Sequence, residues 1–179
     1  MDQSSGTDIS AWLKAADREV RRSSDNKVAR LRCRLDASAQ RVWDTCTDRD
    51  QLRRWFADVS GDFLPEATLT FDVGAPCKVT SRILRCEPPH RLLVTWSYPG
   101  RETDEIEFRV AADGEGAIVE LEHRSSDKTE WWFGAGSGWE SALIRLSVFL
   151  SGGDPSRVSA DELDQKLGPL WMAAGRACR

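Results

Sequence analysis

The alternation of apolar and polar residues predicts β-strands over the first two thirds of the chain. Residues 27–35 place Ala29, Leu31, Cys33 and Leu35 on one side and mostly arginines on the other, which is typical of a half-buried strand. Further strand patterns occupy residues 67–73, 77–86, 91–98, 104–112 and 117–124. The turns between these segments are short, and this favours an antiparallel meander with one wet face that carries Glu120 and Glu122.

A period of 3.6 residues marks one long helix, predicted over residues 138–150. Its apolar stripe is Trp139, Leu143, Leu146 and Leu150. Gly152 and Gly153 predict where it ends, because glycine readily adopts the left-handed conformation that closes a helix. So wide a stripe must be buried, and the predicted sheet is the obvious partner.

Shorter helical patterns flank this core. Residues 8–22 predict one amphipathic helix, which either docks on the domain surface or forms a dimer contact. Two short helices are predicted after the capping residues Ser38 and Asp48. A C-terminal helix is predicted to be interrupted at Gly168-Pro169, because proline disrupts a helix interior.

The order of these elements predicts an α+β fold in which a curved antiparallel sheet wraps the long helix. The predicted division is an N-terminal helical extension (1–26), the main domain (27–153) and a C-terminal helical tail (154–179). A chain of 179 residues is long enough for a substantial core.

Composition narrows the possible partners. The net charge of −4 and the pI near 5.3 argue against nucleic-acid binding. There is no apolar run near the ~20 residues of a membrane span, and the polar N-terminus is unlike a signal peptide, so we expect a cytoplasmic protein without a membrane partner. Five cysteines and two distant histidines show no zinc-site spacing, so no metal and no cofactor is expected.

Several segments then carry a family likeness. They are SAQRVW (38–43), CTD (46–48), LRRWF (52–56), CEPPHRL (86–92) with TW (95–96), VELEH (119–123) and GW (138–139) with Leu143 and Leu146. In this order they resemble START/Bet v 1-like (SRPBCC) domains, in the branch named after the C-terminal domain of the activator of Hsp90 ATPase homologue. The arginine-rich segment 18–21 and the long C-terminal tail look similar to an actinobacterial-type subgroup of that branch. Relatives often carry a Gly-Gly turn before the second strand, where this chain has FLPEA (63–67).

The resemblance implies a helix-grip fold with an apolar cavity between the sheet and the C-terminal helix. Strand alternation and helix position select the side chains that would line it: Trp55, Phe56, Trp96, Tyr98, Leu121, His123, Trp132, Trp139 and Leu143. The alternative is that these side chains simply fill the interior.

Candidate chemistry is sparse. His123 and Tyr98 are the titratable groups expected on the inner face, and either is a candidate acid or base, although a lone histidine there is more often structural. The aromatic residues 131–133, followed by glycines, suggest a flap over the cavity or a buried anchor. The Gly134-x-Gly136-x-Gly138 pattern lacks the context of a nucleotide loop.

We therefore expect a protein that binds a small hydrophobic molecule, which would be aromatic, polyketide-like or lipid-like. One alternative is an enzyme of the cyclase or dehydratase type acting on a polyketide or similar intermediate. A second is an interaction module resembling the chaperone-ATPase activator. A homodimer through the terminal helices is also considered.

Overall fold

A computed structural model describes residues 8–22, 25–74, 78–126 and 132–178, with residues 132 and 133 described for their backbone only. Within these ranges the chain forms one antiparallel sheet of eight strands, in the order β1-β2-β8-β7-β6-β5-β4-β3. The strands are β1 Asp17–Arg22, β2 Lys27–Leu35, β3 Asp58–Ser60, β4 Thr68–Asp72, β5 Val79–Glu87, β6 Arg91–Trp96, β7 Asp104–Asp113 and β8 Gly116–Ser125. The helices are α1 Ile9–Ala15, α2 Ala39–Thr47, α3 Arg49–Trp55, α4 Trp132–Leu150 and α5 Ala160–Ala177, with a 3₁₀ turn at Pro155–Arg157.

The α+β fold with α4 packed on the sheet is confirmed. In β2 the predicted residues Ala29, Leu31, Cys33 and Leu35 are all buried. They meet the apolar stripe of α4, in which Leu143 and Leu146 are buried as well. The core therefore lies between α4 and the inner face of the sheet.

Local capping signals are also confirmed. The side chain of Ser38 accepts a hydrogen bond from the backbone N–H of Arg41, and that of Asp48 accepts one from Gln51. Gly152 ends α4 with a φ of +80°. These contacts join residues close in sequence, so the pattern is sufficient to predict them.

The prediction of a single helix over 8–22 is wrong in its second half. Helix α1 ends at Ala15, and residues 17–22 form an edge strand that pairs with β2 along its whole length. Val20 is buried on the inner face. The free edge of β2 supplies backbone partners for this segment, and this tertiary interaction overrides the helical periodicity. The division of the chain at residues 26 and 154 remains a prediction.

The predicted break at Gly168-Pro169 is also wrong, because α5 continues through Pro169. Leu163, Leu167 and Trp171 lie on one face of α5 and are fully buried. Their burial offsets the roughly 3 kcal/mol that an internal proline costs a helix.

Helix α4 begins at Trp132, six residues before its predicted start, so the glycine-rich segment is helical and not a loop. At Gly136 an added Cβ would lie 2.2 Å from the indole ring of Trp171. Glycine is needed there because α5 crosses α4 so closely. The predicted flap includes Trp131, which lies outside the described residues, as does the predicted strand start at Cys77.

The outer face of the sheet differs from the expected wet face. Glu107 and Glu122 are buried, with Glu107 1% exposed. Arginines cover these carboxylates. Arg91 and Arg124, from the two strands beside β7, donate to Glu107 at 2.6 and 2.5 Å. Glu122 pairs with Arg124 on its own strand and with Arg21 on β1. The prediction that Glu122 faces water is therefore wrong, because arginine side chains lie across the strands and exclude solvent.

Candidate functional site

Four aromatic rings meet at one end of the space between the sheet and α4. This aromatic cluster consists of Phe56 just after α3, Phe71 on β4, Trp96 on β6 and Trp139 on α4. Trp96 lies between Phe71 and Trp139, with ring centroids 5.2 and 5.1 Å away. Phe56 stacks on Trp139 at 5.7 Å with an interplanar angle of 27°. The end of α3, the sheet and α4 thus all contribute to one aromatic surface.

The cluster has a buried inner layer and a partly exposed outer layer. Trp96 and Phe71 are buried, whereas Phe56 and Trp139 are half-buried. The outer rings therefore lie between the inner rings and solvent.

His123 lies beside this cluster on β8 and is buried. The indole N–H of Trp139 donates to its Nδ1 at 3.0 Å. Its Nε2 lies 2.8 Å from Oδ2 of Asp104, the first residue of β7. Because an indole N–H only donates, Nδ1 is the acceptor, and Nε2 carries the proton that is donated to the carboxylate.

This arrangement positions the ring of Trp139 more directly than it prepares His123 for catalysis. A general base needs a lone pair aimed at the substrate. Here the Nδ1 lone pair accepts the Trp139 bond, and Nε2 is held by Asp104. The two hydrogen bonds fix the tautomer of His123, and His123 in turn fixes the orientation of the Trp139 ring.

The other predicted site residues divide into two groups. Trp55 is buried, and its indole N–H donates to the carbonyl of Thr45 at 3.3 Å, behind Phe56. Leu121 and Leu143 are buried in the core. Tyr98 is half-buried just beyond the end of β6. The backbone of Trp132 starts α4, but its side chain lies outside the described residues.

Sequence reasoning missed Glu140, a fully buried carboxylate on α4. It accepts hydrogen bonds from the indoles of Trp12 and Trp171 at 3.0 and 2.9 Å. Arg18 donates to it from Nε at 2.7 Å and from a terminal nitrogen at 2.5 Å. One signal was present in the sequence: Glu140 is the only acidic residue of a predominantly apolar helix.

Phe71 and Asp104 were missed as site residues too. Phe71 shares the alternation of the predicted 67–73 strand with the buried Leu69, so its inward direction was readable. Asp104 meets His123 only because β7 pairs with β8 in the observed register. No local pattern contains that information.

A concave surface lies apart from the aromatic cluster. It is a groove of about 500 Å³ between α1, β2 and α4, with Trp12, Ala16 and Cys33 among its lining residues. Burial raises the pKa of Cys33 to about 12, so the thiol is protonated and unreactive near neutral pH. Arg34 at its rim is paired with Asp36 and Asp113.

Metal-ligand clusters and membrane-spanning helices are both absent from the described ranges. No group of three or more potential ligands among His, Cys, Asp and Glu comes together there. None of the helices in these ranges has the length and apolar character needed to cross a membrane.

A sheet that grips α4 around an aromatic end is the architecture of the SRPBCC superfamily, whose members bind hydrophobic ligands. The family described as "Activator of Hsp90 ATPase homolog 1-like protein" matches residues 36–151, and the chain belongs to this family.

Solved structures agree with this assignment. The crystal structure of CalU16 from Micromonospora echinospora is 32% identical, with a TM-score of 0.74, and the match covers 90% of this chain and 99% of CalU16. The Aha1 dimer from Colwellia psychrerythraea is 20% identical with a TM-score of 0.61, over 70% of this chain and 97% of the other, and shows the fold alone. DynU16 is 22% identical with a TM-score of 0.69, over 76% of this chain and 51% of DynU16. Among curated proteins, none matches the chain significantly.

Proposed function

We propose that the protein binds a small hydrophobic molecule, which is aromatic, polyketide-like or lipid-like, between the sheet and α4 at the aromatic cluster. The observation that carries the proposal is the outer layer of this cluster. Phe56 and Trp139 are half-buried and stacked on each other, and both lie against the buried Trp96. A planar ligand ring can replace such a ring-to-ring contact at little cost, because it offers the same offset-stacked geometry.

The polar surroundings support an uncharged ligand. Among the described residues, the titratable groups recorded in contact with the cluster are His123, which accepts from Trp139, and its partner Asp104. The cluster itself is made of apolar rings. Sites of this composition derive affinity from apolar contact and use few polar groups for orientation.

The relatives are consistent with this proposal. DynU16 is described as a protein of the dynemicin biosynthetic locus. A locus that makes a natural product is a setting in which a carrier for a small organic molecule would act. This supports the proposed ligand class without naming the ligand.

The test is a binding titration with a fluorescent hydrophobic probe, anilinonaphthalene sulfonate. We expect the wild-type protein to enhance probe emission, and Trp139→Leu to bind about ten-fold more weakly because one stacking face is lost. Trp43→Leu is the matched control. Trp43 lies on α2, close after the end of β2. That end of β2 pairs with Ala117, whereas His123 lies at the opposite end of β8, so Trp43 is at the far end of the sheet from the aromatic cluster. The proposal would be contradicted if the folded wild-type protein bound none of three ligands: this probe, naphthol and a fatty acid.

The two alternatives have less support. A cyclase or dehydratase would use His123 or Tyr98, and His123 is engaged at both ring nitrogens. If a polyketide substrate is found, His123→Ala should abolish turnover for this alternative to hold. For the interaction module, the family name is the only argument, and stimulation of a chaperone ATPase is its test.

A homodimer through the terminal helices also remains a proposal. The Colwellia relative is described as a dimer. In this chain α5 packs on α4, so only its outer face remains for a second copy. Sedimentation of the intact protein over a range of concentrations decides between monomer and dimer.

A further inference from the structure

The inner face of β5 carries one polar side chain among apolar ones. Val79, Ser81 and Ile83 alternate inward, and all three are fully buried at 0% exposure. Valine and isoleucine suit this position because it lies within the core. Ser81 does not, since burial removes its hydroxyl from water.

The strand register places Ser81 beside the aromatic cluster. In β4 its partner is Leu69, which precedes Phe71 on the same inner face. On the other side, the Thr80–Ser97 bridge and the Ile83–Val94 pair fix the register. Trp96 therefore lies opposite Ser81, and side chains of directly opposed residues are close neighbours.

The Ser81 hydroxyl has no hydrogen-bond partner among the described residues. Buried side-chain hydroxyls in proteins nearly always have one, because leaving a donor or acceptor unpaired in the interior costs free energy. The nearby Thr95 hydroxyl shows the usual behaviour, since it accepts the backbone N–H of Arg82 at 2.8 Å. A hydroxyl without a partner next to Trp96 therefore points to an outside molecule as its partner.

We propose that Ser81 is the polar contact of the ligand site and determines its specificity. The preferred ligand is then an aromatic molecule that carries a hydroxyl or carbonyl oxygen, not a pure hydrocarbon. It would insert between the half-buried outer rings and lie against Trp96 and Phe71, with its oxygen bonded to Ser81 Oγ. This inference rests on the proposed function, and it adds the chemical class of the ligand.

The test compares naphthalene with naphthol, which differ by one hydroxyl, by displacement of anilinonaphthalene sulfonate from the full-length protein. We expect the wild type to bind naphthol more tightly than naphthalene. In Ser81→Ala the ratio of the two affinities should fall about five-fold, which corresponds to the loss of one neutral hydrogen bond. Taking the ratio between the two proteins removes the difference in hydration between the two probes. Equal preference in both proteins would overturn the inference.

Ser141→Ala is the matched control, because Ser141 carries the only other buried side-chain hydroxyl that has no hydrogen-bond partner within the described ranges. It lies two residues after Trp139 on α4, about 200° around the helix from the sheet-facing stripe. We expect it to leave the naphthol preference unchanged.

A second measurement does not depend on ligand binding. Without ligand, Ser81→Ala should match or exceed the wild type in urea denaturation, because it removes an unpaired polar group. A clear loss of stability would show that the hydroxyl has an internal partner, and would overturn the inference even if the probes bind. Failure of naphthalene and naphthol to displace the bound dye would also overturn the inference. The proposed function would be refuted only if the wild type bound none of anilinonaphthalene sulfonate, naphthol and a fatty acid.

Discussion

At the scale of single residues, the buried carboxylate of Glu140 depends on several distant partners. Its carboxylate has no solvent contact, and Arg18, which is 10% exposed, supplies the compensating charge. Two indole N–H groups complete its bonding. A buried carboxylate is tolerated only with such a full set of partners, because desolvation of an unpaired charge is very costly.

Arg18→Met should therefore lower the free energy of unfolding by about 3–5 kcal/mol, because it leaves Glu140 charged, buried and unpaired. The double variant Arg18→Met/Glu140→Gln should lose less free energy of unfolding than the two single variants together. Its amide oxygen still accepts from an indole, and no unpaired charge is left in the interior. Urea denaturation of all four proteins measures this coupling.

Arg21→Met is the control for the loss of an arginine on the same strand. Arg21 is 48% exposed and pairs with Glu122 on the outer face, so its removal should cost only about 0–1 kcal/mol. Equal losses from Arg18→Met and Arg21→Met would refute the special role of the Glu140 site.

His123 shows how a predicted residue acquires a different role. The strand pattern correctly placed it on the inner face, where it is buried. Its partners Asp104 and Trp139 come from β7 and α4. They assign it to positioning an aromatic ring, so its suggested acid–base role is the part of the prediction with least support.

At the scale of elements, the crossing of α4 and α5 depends on one glycine. The ring of Trp171 occupies the space that a side chain at position 136 would need. Glycines 134 and 138 in the same helix have open space at their Cβ positions. The three glycines of this segment are therefore not equivalent, although the sequence pattern treats them alike.

Gly136→Ala should destabilise the protein by about 1–3 kcal/mol, because the added methyl group forces α5 away from α4. Gly138→Ala should be neutral or stabilising by up to about 1 kcal/mol, since alanine favours the helix and meets no atom. Thermal unfolding of the two variants beside the wild type tests the pair. A similar change in both would mean that α5 does not pack as described.

The terminal elements belong structurally to the grip. The family match begins at residue 36 and ends at 151, whereas Trp12, Arg18 and Trp171 all lie outside it. Each of these three residues bonds to Glu140 within it. The ends of this chain are thus tied to the same helix that carries Trp139 of the aromatic cluster.

At the scale of the whole molecule, the outer face of the sheet is an ion-pair network that should make stability depend on pH. Burial by itself raises the pKa of Glu107, but its hydrogen bonds to Arg124 and Arg91 and the charge of Arg109 outweigh this, and the net pKa is lowered. For Glu120 burial likewise opposes the contacts with Arg30 and Arg109, and the net pKa is again lowered.

A carboxylate whose pKa is lower in the folded state stabilises the fold when it is ionised. This contribution should be complete above the ordinary glutamate value of 4.5, and should be lost as the pH falls through the lower folded-state values. The urea midpoint should accordingly be steady near neutral pH and fall in strongly acidic buffer. Glu107→Gln should lower stability at pH 7 by about 1–3 kcal/mol, because charged hydrogen bonds are lost, and should flatten the acid dependence. An unchanged acid slope in this variant would argue against the network as its source.

The sequence alone determined the features that local interactions govern. The faces of β2 and β8, the caps Ser38 and Asp48, and the end of α4 at Gly152 all follow from neighbours a few residues apart. The family likeness and the order of elements then sufficed for the α+β grip, and strand and helix periodicity for bringing Trp96 and Trp139 to the space between the sheet and α4.

Only the tertiary structure decided the rest, because the deciding partners are distant in sequence. Residues 17–22 became a strand because the edge of β2 was available, and α5 passed Pro169 because its apolar face was covered. The bonds of Glu140 to Trp12 and Arg18 span 128 and 122 residues. Such contacts depend on the register of strands and the crossing of helices, which periodicity does not encode.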